Sequence, residues 1–233
     1  MTLRIALFGA GRLGREILAL APERDAAIVA TFGRHTPASV EALRSSNADV
    51  AMDVSVAEAV SANTAVCMAA ALPVIIGVTG WDDAEADVRR VVASAGGAAL
   101  VAPNFSVGAT LFSSVLADAA RRFSASLGFD AHLVETHHAL KKDAPSGTAR
   151  RLAMLAEESR GAAVPVTSVR VGHVPGTHML VLDAPFEQVT LTHEARDRRV
   201  FADGALLAAR WLHGKTGWFT MDDVVRELIG DRR

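Results

Sequence analysis

The richest run of chemistry in the chain is Glu135-Thr136-His137-His138-Ala139-Leu140-Lys141-Lys142-Asp143-Ala144-Pro145-Ser146-Gly147-Thr148-Ala149. Imidazole transfers protons near neutral pH, so His137 and His138 are candidate acids and bases. Lys141 adds a cation, and an ammonium, unlike a guanidinium, can give up its proton. That distinction matters because Lys141, Lys142 and Lys215 are the only lysines in a chain that otherwise uses arginine. Ser146, Gly147 and Thr148 precede a helix predicted from Ala149 to about Glu158 and present hydroxyls and backbone N–H groups to an anion. Such a set suits a small polycarboxylate that is to be protonated as well as reduced. Competing ordinary roles are a structural histidine and a plain helix cap. A metal is not expected: adjacent residues at a strand end point to opposite sides, and no further His, Cys or carboxylate pattern completes a zinc set.

A second motif lies near the N-terminus. Gly9-Ala10-Gly11-Arg12-Leu13-Gly14 matches G-x-G-x-x-G between an apolar strand and a helical pattern. In that context Gly9 permits a tight turn, Gly11 lets backbone approach a pyrophosphate, and Gly14 permits close helix–strand packing. The helix N-terminus adds unpaired N–H donors and partial positive charge. At the end of the second strand, where an NAD site usually carries Asp or Glu, the run is Thr31-Phe32-Gly33-Arg34-His35-Thr36. Arg34 offers a fork suited to a 2′-phosphate, which favours NADPH and leaves NADH possible. The cofactor-binding candidates here are Gly9, Gly11, Arg12, Leu13, Gly14 and Arg34.

The elements that must carry these motifs change character along the chain. Strands are expected at Arg4–Phe8, Ala27–Phe32, Val50–Val54, Pro73–Gly77 and Ala98–Ala102, with helical stretches between them, one near Ser39–Arg44. Strand–helix alternation predicts a parallel sheet covered on both faces. After a long helix at Thr110–Phe123, strands are expected at Phe129–Thr136, Val166–Val171, Met179–Leu182 and Gln188–His193. The later ones follow one another without helices, which predicts an antiparallel or mixed sheet. Helices at Asp203–Leu212 and Met221–Ile229, the latter capped by Thr220, end the chain. The fold class is therefore α/β: a Rossmann-like dinucleotide-binding domain from residues 1–106 and 203–233, and an α+β substrate domain with a mixed or antiparallel sheet from 107–202.

Composition excludes several functions. The 233 residues carry a formal charge of −2, so no basic field favours nucleic acid. Half the residues are hydrophobic, which excludes global disorder. The charge-free stretch Ala59–Trp81 contains Ser61, Asn63, Thr64, Pro73 and Gly77 and reads as helix end, loop and strand rather than a membrane span. Cys67 stands alone, which excludes an intrachain disulfide and fits a cytoplasmic location.

The run from Glu135 to Ala149 resembles the E-A-H-H-x-x-K-x-D-A-P-S-G-T-A signature of the 4-hydroxy-tetrahydrodipicolinate reductase (dihydrodipicolinate reductase) family, departing only at Thr136. These are pyridine-nucleotide enzymes of the diaminopimelate route to lysine. Gly77-Val78-Thr79-Gly80 is similar to the family's G-T-T-G loop, with Val78 in place of a threonine. Ala102-Pro103-Asn104-Phe105-Ser106-Val107-Gly108 is similar to its A-x-N-F-S-x-G crossover, and Phe201-Ala202-Asp203-Gly204-Ala205 with Trp211-Leu212-His213-Gly214-Lys215 resembles its C-terminal region. The resemblance implies that His137 is the general acid/base, Lys141 a proton donor and His138 a substrate contact, with Ser146, Gly147 and Thr148 holding a substrate carboxylate. It implies that the backbone at Gly77, Val78 and Thr79 and at Ala102, Pro103, Asn104 and Phe105 lines the nicotinamide. It also implies a homotetramer, which adds an oligomerisation role to the substrate domain at 107–202. A non-catalytic NADPH sensor, or a reductase of another imine or keto acid, is the alternative; a sensor has no need of His137, Lys141 and Ser146–Thr148 together.

Overall fold

Two compact units make up the computed structural model, which describes residues 1–230. One is formed by Met1–Val107 together with the chain from Arg199 onward, the other by Gly108–Arg198.

The first unit alternates strands and helices: β1 (Leu3–Phe8), α1 (Arg12–Leu20), β2 (Ala26–Phe32), α2 (Val40–Ser46), β3 (Val50–Asp53), α3 (Val60–Ala69), β4 (Val74–Ile76), α4 (Glu85–Ser94) and β5 (Ala98–Val101). The second unit is built from α5 (Val107–Arg122), β6 (Asp130–His137), α6 (Gly147–Arg160), β7 (Val166–Arg170), β8 (Gly176–Ala184) and β9 (Glu187–Ala195). The chain then returns to the first unit with α7 (Arg199–Leu212), β10 (Gly217–Thr220) and α8 (Met221–Leu228).

All pairings in the first sheet are parallel, in the order β10-β5-β4-β3-β1-β2. Its strands are continuous apolar runs because both faces are covered. Ile5, Leu7, Met52, Ile75 and Leu100 pack under α1, α7 and α8. Ala6, Phe8, Val74, Ile76 and Ala99 pack under α2, α3 and α4. The side-chain alternation of a strand sends neighbouring residues to opposite layers, so one short run feeds both cores. Two expected helix starts carry their caps: the Ser39 hydroxyl accepts from the Ala42 N–H at 3.1 Å, and the Asp223 carboxylate accepts from the Thr220 N–H at 2.8 Å, whereas α5 and α7 open at Val107 and Arg199, three and four residues before the expected Thr110 and Asp203. β10 was absent from the sequence reading. It is four residues long and pairs with β5 as the sheet's edge.

The second sheet has the order β7-β6-β8-β9. It is mixed: β6 pairs in parallel with β7, while β6–β8 and β8–β9 are antiparallel. The cause is α6, which carries the chain from β6 back to the start of β7, as a parallel crossover requires. One face of this sheet, through Ala131, Leu133, Leu180 and Leu182, packs on α5 and α6.

α7 makes the tightest approach in the first unit. A Cβ on the buried Gly204 would stand 1.8 Å from the Phe105 carbonyl oxygen. Gly→Ala in a free helix gains about 1 kcal/mol, whereas overpacking costs about 1–3 kcal/mol. Gly204→Ala is therefore expected to lower the urea midpoint; a raised midpoint would show that the close approach is not a constraint.

Candidate active site

In a parallel sheet every strand points its C-terminal end to one edge, and the crevice for a ligand opens where the strand order reverses. Here β1 lies between β2 and β3. The loops leaving β1, β2, β3, β4 and β5 carry Gly9–Gly14, Arg34, Ser55, Gly77–Thr79 and Ala102–Phe105 to that common edge. Gly9 has φ +95°, and a Cβ there would meet the Val54 oxygen and the Ser55 Cα at 2.8 Å. A Cβ on Gly14 would lie 2.1 Å from the Gly9 oxygen, whereas one on Gly11 meets nothing within 4 Å. Two of the glycines thus close the turn against its surroundings, and the third leaves open space. No side chain caps α1 at Gly11, and its first turn holds no acidic residue. Arg12, Leu13 and Gly14 therefore begin a helix whose N–H groups and dipole suit a phosphate, so the residues present fit a dinucleotide.

The remaining cofactor candidates divide by exposure. Arg34 is exposed in a turn closed by the Gly33 N–H donating to the Thr36 carbonyl at 3.1 Å. Val78, Ala102 and Phe105 are buried in the cores, so each has backbone rather than side chain to offer. Thr79 and Pro103 are exposed, and the Asn104 side-chain oxygen accepts from the Ser106 N–H at 2.8 Å. Sequence reasoning missed Asp53, a fully buried carboxylate ending β3. It accepts from the Ser55 N–H at 3.0 Å and from the Asn63 amide at 2.9 Å. That holds the loop against which Gly9 packs.

The second unit gathers the candidate proton-transfer groups. Along β6 alternate residues face the core, which puts Ala131, Leu133, Glu135 and His137 on one face. Glu135 has no exposed surface and His137 is 8% exposed. The Glu135 Oε2 bonds the Nδ1 of His137. Its Oε1 accepts from an Arg170 Nη at 2.6 Å and from the Ser146 N–H at 3.4 Å. Register puts His178 of β8 opposite Glu135; its ring meets the His137 ring edge-on at 5.3 Å between centroids. The His178 Nε2 lies 3.4 Å from the Ser146 hydroxyl. Ser146 is the N-cap of α6, its hydroxyl accepting from the Ala149 N–H at 3.1 Å. The helix therefore opens at Gly147, two residues before the expected start, with Thr148 in its first turn.

Lys141 is half-buried and pairs with Asp143 at 2.8 Å. Lys142 is exposed, in keeping with a solvated side chain. His138 lies just past the end of β6; its carbonyl accepts from the Lys141 N–H at 3.1 Å. His137, Ser146 and the head of α6 thus form one hydrogen-bonded group, which extends to Arg170 and His178, two residues that sequence reasoning missed. Glu135 lay in plain view two positions before His137, on the same strand face.

Burial pushes the Glu135 carboxyl up, but hydrogen bonds from Arg170 and His137 outweigh it and hold the group at about 2. Burial pushes the His137 imidazole down, against the opposing pull of Glu135, and pushes His178 down to about 4. Glu135, His137 and His178 bring one potential metal ligand each within 4.8 Å of one another. Both Glu135 oxygens are already engaged, and the Arg170 guanidinium 2.6 Å away opposes a cation there.

A Rossmann-like parallel sheet with a buried cluster of histidines and a carboxylate on a separate mixed sheet fits the plan of a two-domain nicotinamide-nucleotide oxidoreductase. Comparison with known proteins sharpens that class. Residues 3–105 match the family described as "Dihydrodipicolinate reductase, N-terminus", and residues 108–225 match its C-terminus. A 4-hydroxy-tetrahydrodipicolinate reductase of Christiangramia forsetii is 34% identical over 97% of this chain and 99% of that protein. One from Gluconobacter oxydans is 41% identical over 77% of this chain and 78% of its own length. The solved dipicolinate-bound dihydrodipicolinate reductase of Paenisporosarcina sp. TG-14 has the same fold, with TM-score 0.80 and 23% identity over 94% of this chain and 98% of that one. The chain belongs to the dihydrodipicolinate reductase family. Among the described residues no helix is long and apolar enough to cross a membrane.

The buried charges predict an acid-labile second unit. His178 and Glu135 both bind protons more weakly folded than unfolded, so each contributes stability that is lost as pH falls. His178 acts from 6.5 down to about 4, and Glu135 from 4.5 down to about 2, with on the order of 3 kcal/mol from each at its limit. The urea midpoint is expected to fall steadily from pH 7 to 3, and His178→Gln to flatten the decline above pH 4. A midpoint independent of pH over this range would contradict the assignment.

Proposed function

We propose that the protein reduces 4-hydroxy-tetrahydrodipicolinate to tetrahydrodipicolinate in lysine and diaminopimelate biosynthesis, with NADPH preferred over NADH. The observation that carries the reading is the joining of His137 and Ser146 through the Glu135 carboxylate. It sets a proton donor beside a helix N-terminus suited to a carboxylate. The relatives named for this activity support the same substrate.

When bound, the dihydronicotinamide supplies a hydride to the cyclic unsaturated imine left after water departs. The chain's own residues do the rest. Ser146, Gly147 and Thr148 at the head of α6 hold one carboxylate of the substrate, and His138 adds a contact. Lys141 offsets the substrate's negative charge and is a second proton donor. His137 delivers the proton to the ring through Nε2, because Nδ1 is committed to Glu135. A dianion nearby raises the affinity of His137 for its proton, which burial alone would depress. On the nucleotide side, Gly9–Gly14 cradle the pyrophosphate and Arg34 takes the 2′-phosphate, while Gly77–Thr79 and Ala102–Phe105 line the nicotinamide. We further propose a cytoplasmic homotetramer built through the second sheet, whose outer strands β7 and β9 leave edges open to pairing.

The test is oxidation of NADPH and NADH by the purified protein with substrate made freshly from pyruvate and aspartate semialdehyde by a synthase. Turnover is expected with both and faster with NADPH; none with either, despite NADPH binding, would sink the reading and favour a sensor. His137→Ala should lower kcat by about a hundredfold or more, with NADPH affinity unchanged. Arg34→Ala should weaken NADPH by about tenfold and NADH hardly at all; equal losses would refute the phosphate role.

A further inference from the structure

The Glu135 carboxylate is buried among groups whose arrangement exceeds what an ion pair needs. Arg170 alone would satisfy the charge, through Oε1. The other oxygen is given to His137 Nδ1. The same Arg170 Nη donates to the Asp143 carbonyl at 2.6 Å, and Asp143 in turn pairs with Lys141. One guanidinium therefore joins the carboxylate behind His137 to the loop that carries Lys141.

We propose that Glu135 is a positioning residue that holds His137 as the Nδ1–H tautomer with Nε2 free for proton transfer, and that Arg170 tunes the pair by neutralising Glu135 while anchoring the Lys141 loop. The proposal rests on the reading of His137 as the proton donor. Three features support it. Oε2 has the imidazole as its partner, so the ring cannot rotate without leaving a buried carboxylate oxygen short of a donor. Across β8, a Cβ on Gly176 would stand 3.0 Å from His137 Nε2, so the glycine keeps that nitrogen clear. Finally, the charges facing the ring oppose one another: Glu135 favours the imidazolium, whereas Arg170 and Lys141 disfavour it. His178, on the neighbouring strand, meets the ring edge-on, and Asp143 pairs with Lys141. The buried carboxylate thus supplies orientation without fixing the proton permanently on the ring, which a proton donor must release in each cycle.

Opposed charges give opposed effects, which a merely structural ion pair would not. In ring-nitrogen NMR titrations, Glu135→Gln should move the His137 midpoint down by about one pH unit, and Arg170→Gln should move it up by a similar amount. Arg170→Lys, which keeps the charge, should leave it near that of the unaltered protein. In kinetics, Glu135→Gln should lower kcat about a hundredfold, as loss of a carboxylate behind a catalytic histidine does elsewhere, with the KM for NADPH and for substrate within about threefold. Titration midpoints that stay put in Glu135→Gln, or move the same way in both glutamine variants, would overturn the proposal. If Glu135→Gln fails to fold, the comparison of Arg170→Gln with Arg170→Lys decides it. Should the unaltered protein fail to reduce the substrate, the reductase reading falls while the titrations still judge the Glu135–His137–Arg170 coupling.

Discussion

A carboxylate with no exposed surface must find donors or give up its charge, and the second unit is arranged around that requirement at Glu135. The donors come from separate stretches of chain: His137 along the same strand, Arg170 from the parallel neighbour, and the Ser146 N–H from the head of α6. The Arg170 and Ser146 bonds each tie a different element to β6. The parallel crossover through α6 is what brings Ser146 and Arg170 to the same carboxylate, and the antiparallel pairing of β8 brings His178 opposite it. Without the buried charge these elements have less reason to converge at the end of β6, where the proposed proton donor stands.

The nucleotide unit depends on a different constraint, the close approach of backbone to backbone. Gly14 lies against Gly9, Gly9 against the Val54–Ser55 loop, and that loop is pinned by buried Asp53. Gly204 seats α7 on the Phe105 segment in the same manner. The loops proposed to hold the cofactor are therefore braced from below by packing that admits no side chain. Their upper surface is left to Gly11, Arg34, Thr79 and Pro103.

Most of this was legible in the residues. Apolar runs such as Arg4–Phe8, each followed by a helical pattern, are sufficient to name a parallel sheet, because strands buried on both faces cannot alternate with polar residues. The glycine loop and the His137–Thr148 segment stand out because their residue types carry chemistry at fixed short spacing. What stayed hidden depends on long-range pairing. Arg170 and His178 lie 35 and 43 positions from Glu135 in sequence, and only strand register makes them its neighbours. β10 was hidden for another reason: Gly217-Trp218-Phe219-Thr220 is too short for a periodicity and runs directly into a helix cap. Asp53 read as the end of an apolar strand, since nothing local reveals that Ser55 and Asn63 turn back to it.

The central claim is that Glu135 sets the state of the His137 ring, and the tautomer of that ring in the unaltered protein tests it most directly. Ring-nitrogen chemical shifts of histidine-labelled protein, recorded at pH 7.5, on the basic side of an imidazole titration that burial lowers, distinguish the two forms. The account predicts that His137 carries its proton on Nδ1, shared with Glu135, and leaves Nε2 unprotonated. A ring protonated on Nε2, or an equal mixture of the two forms, would contradict it.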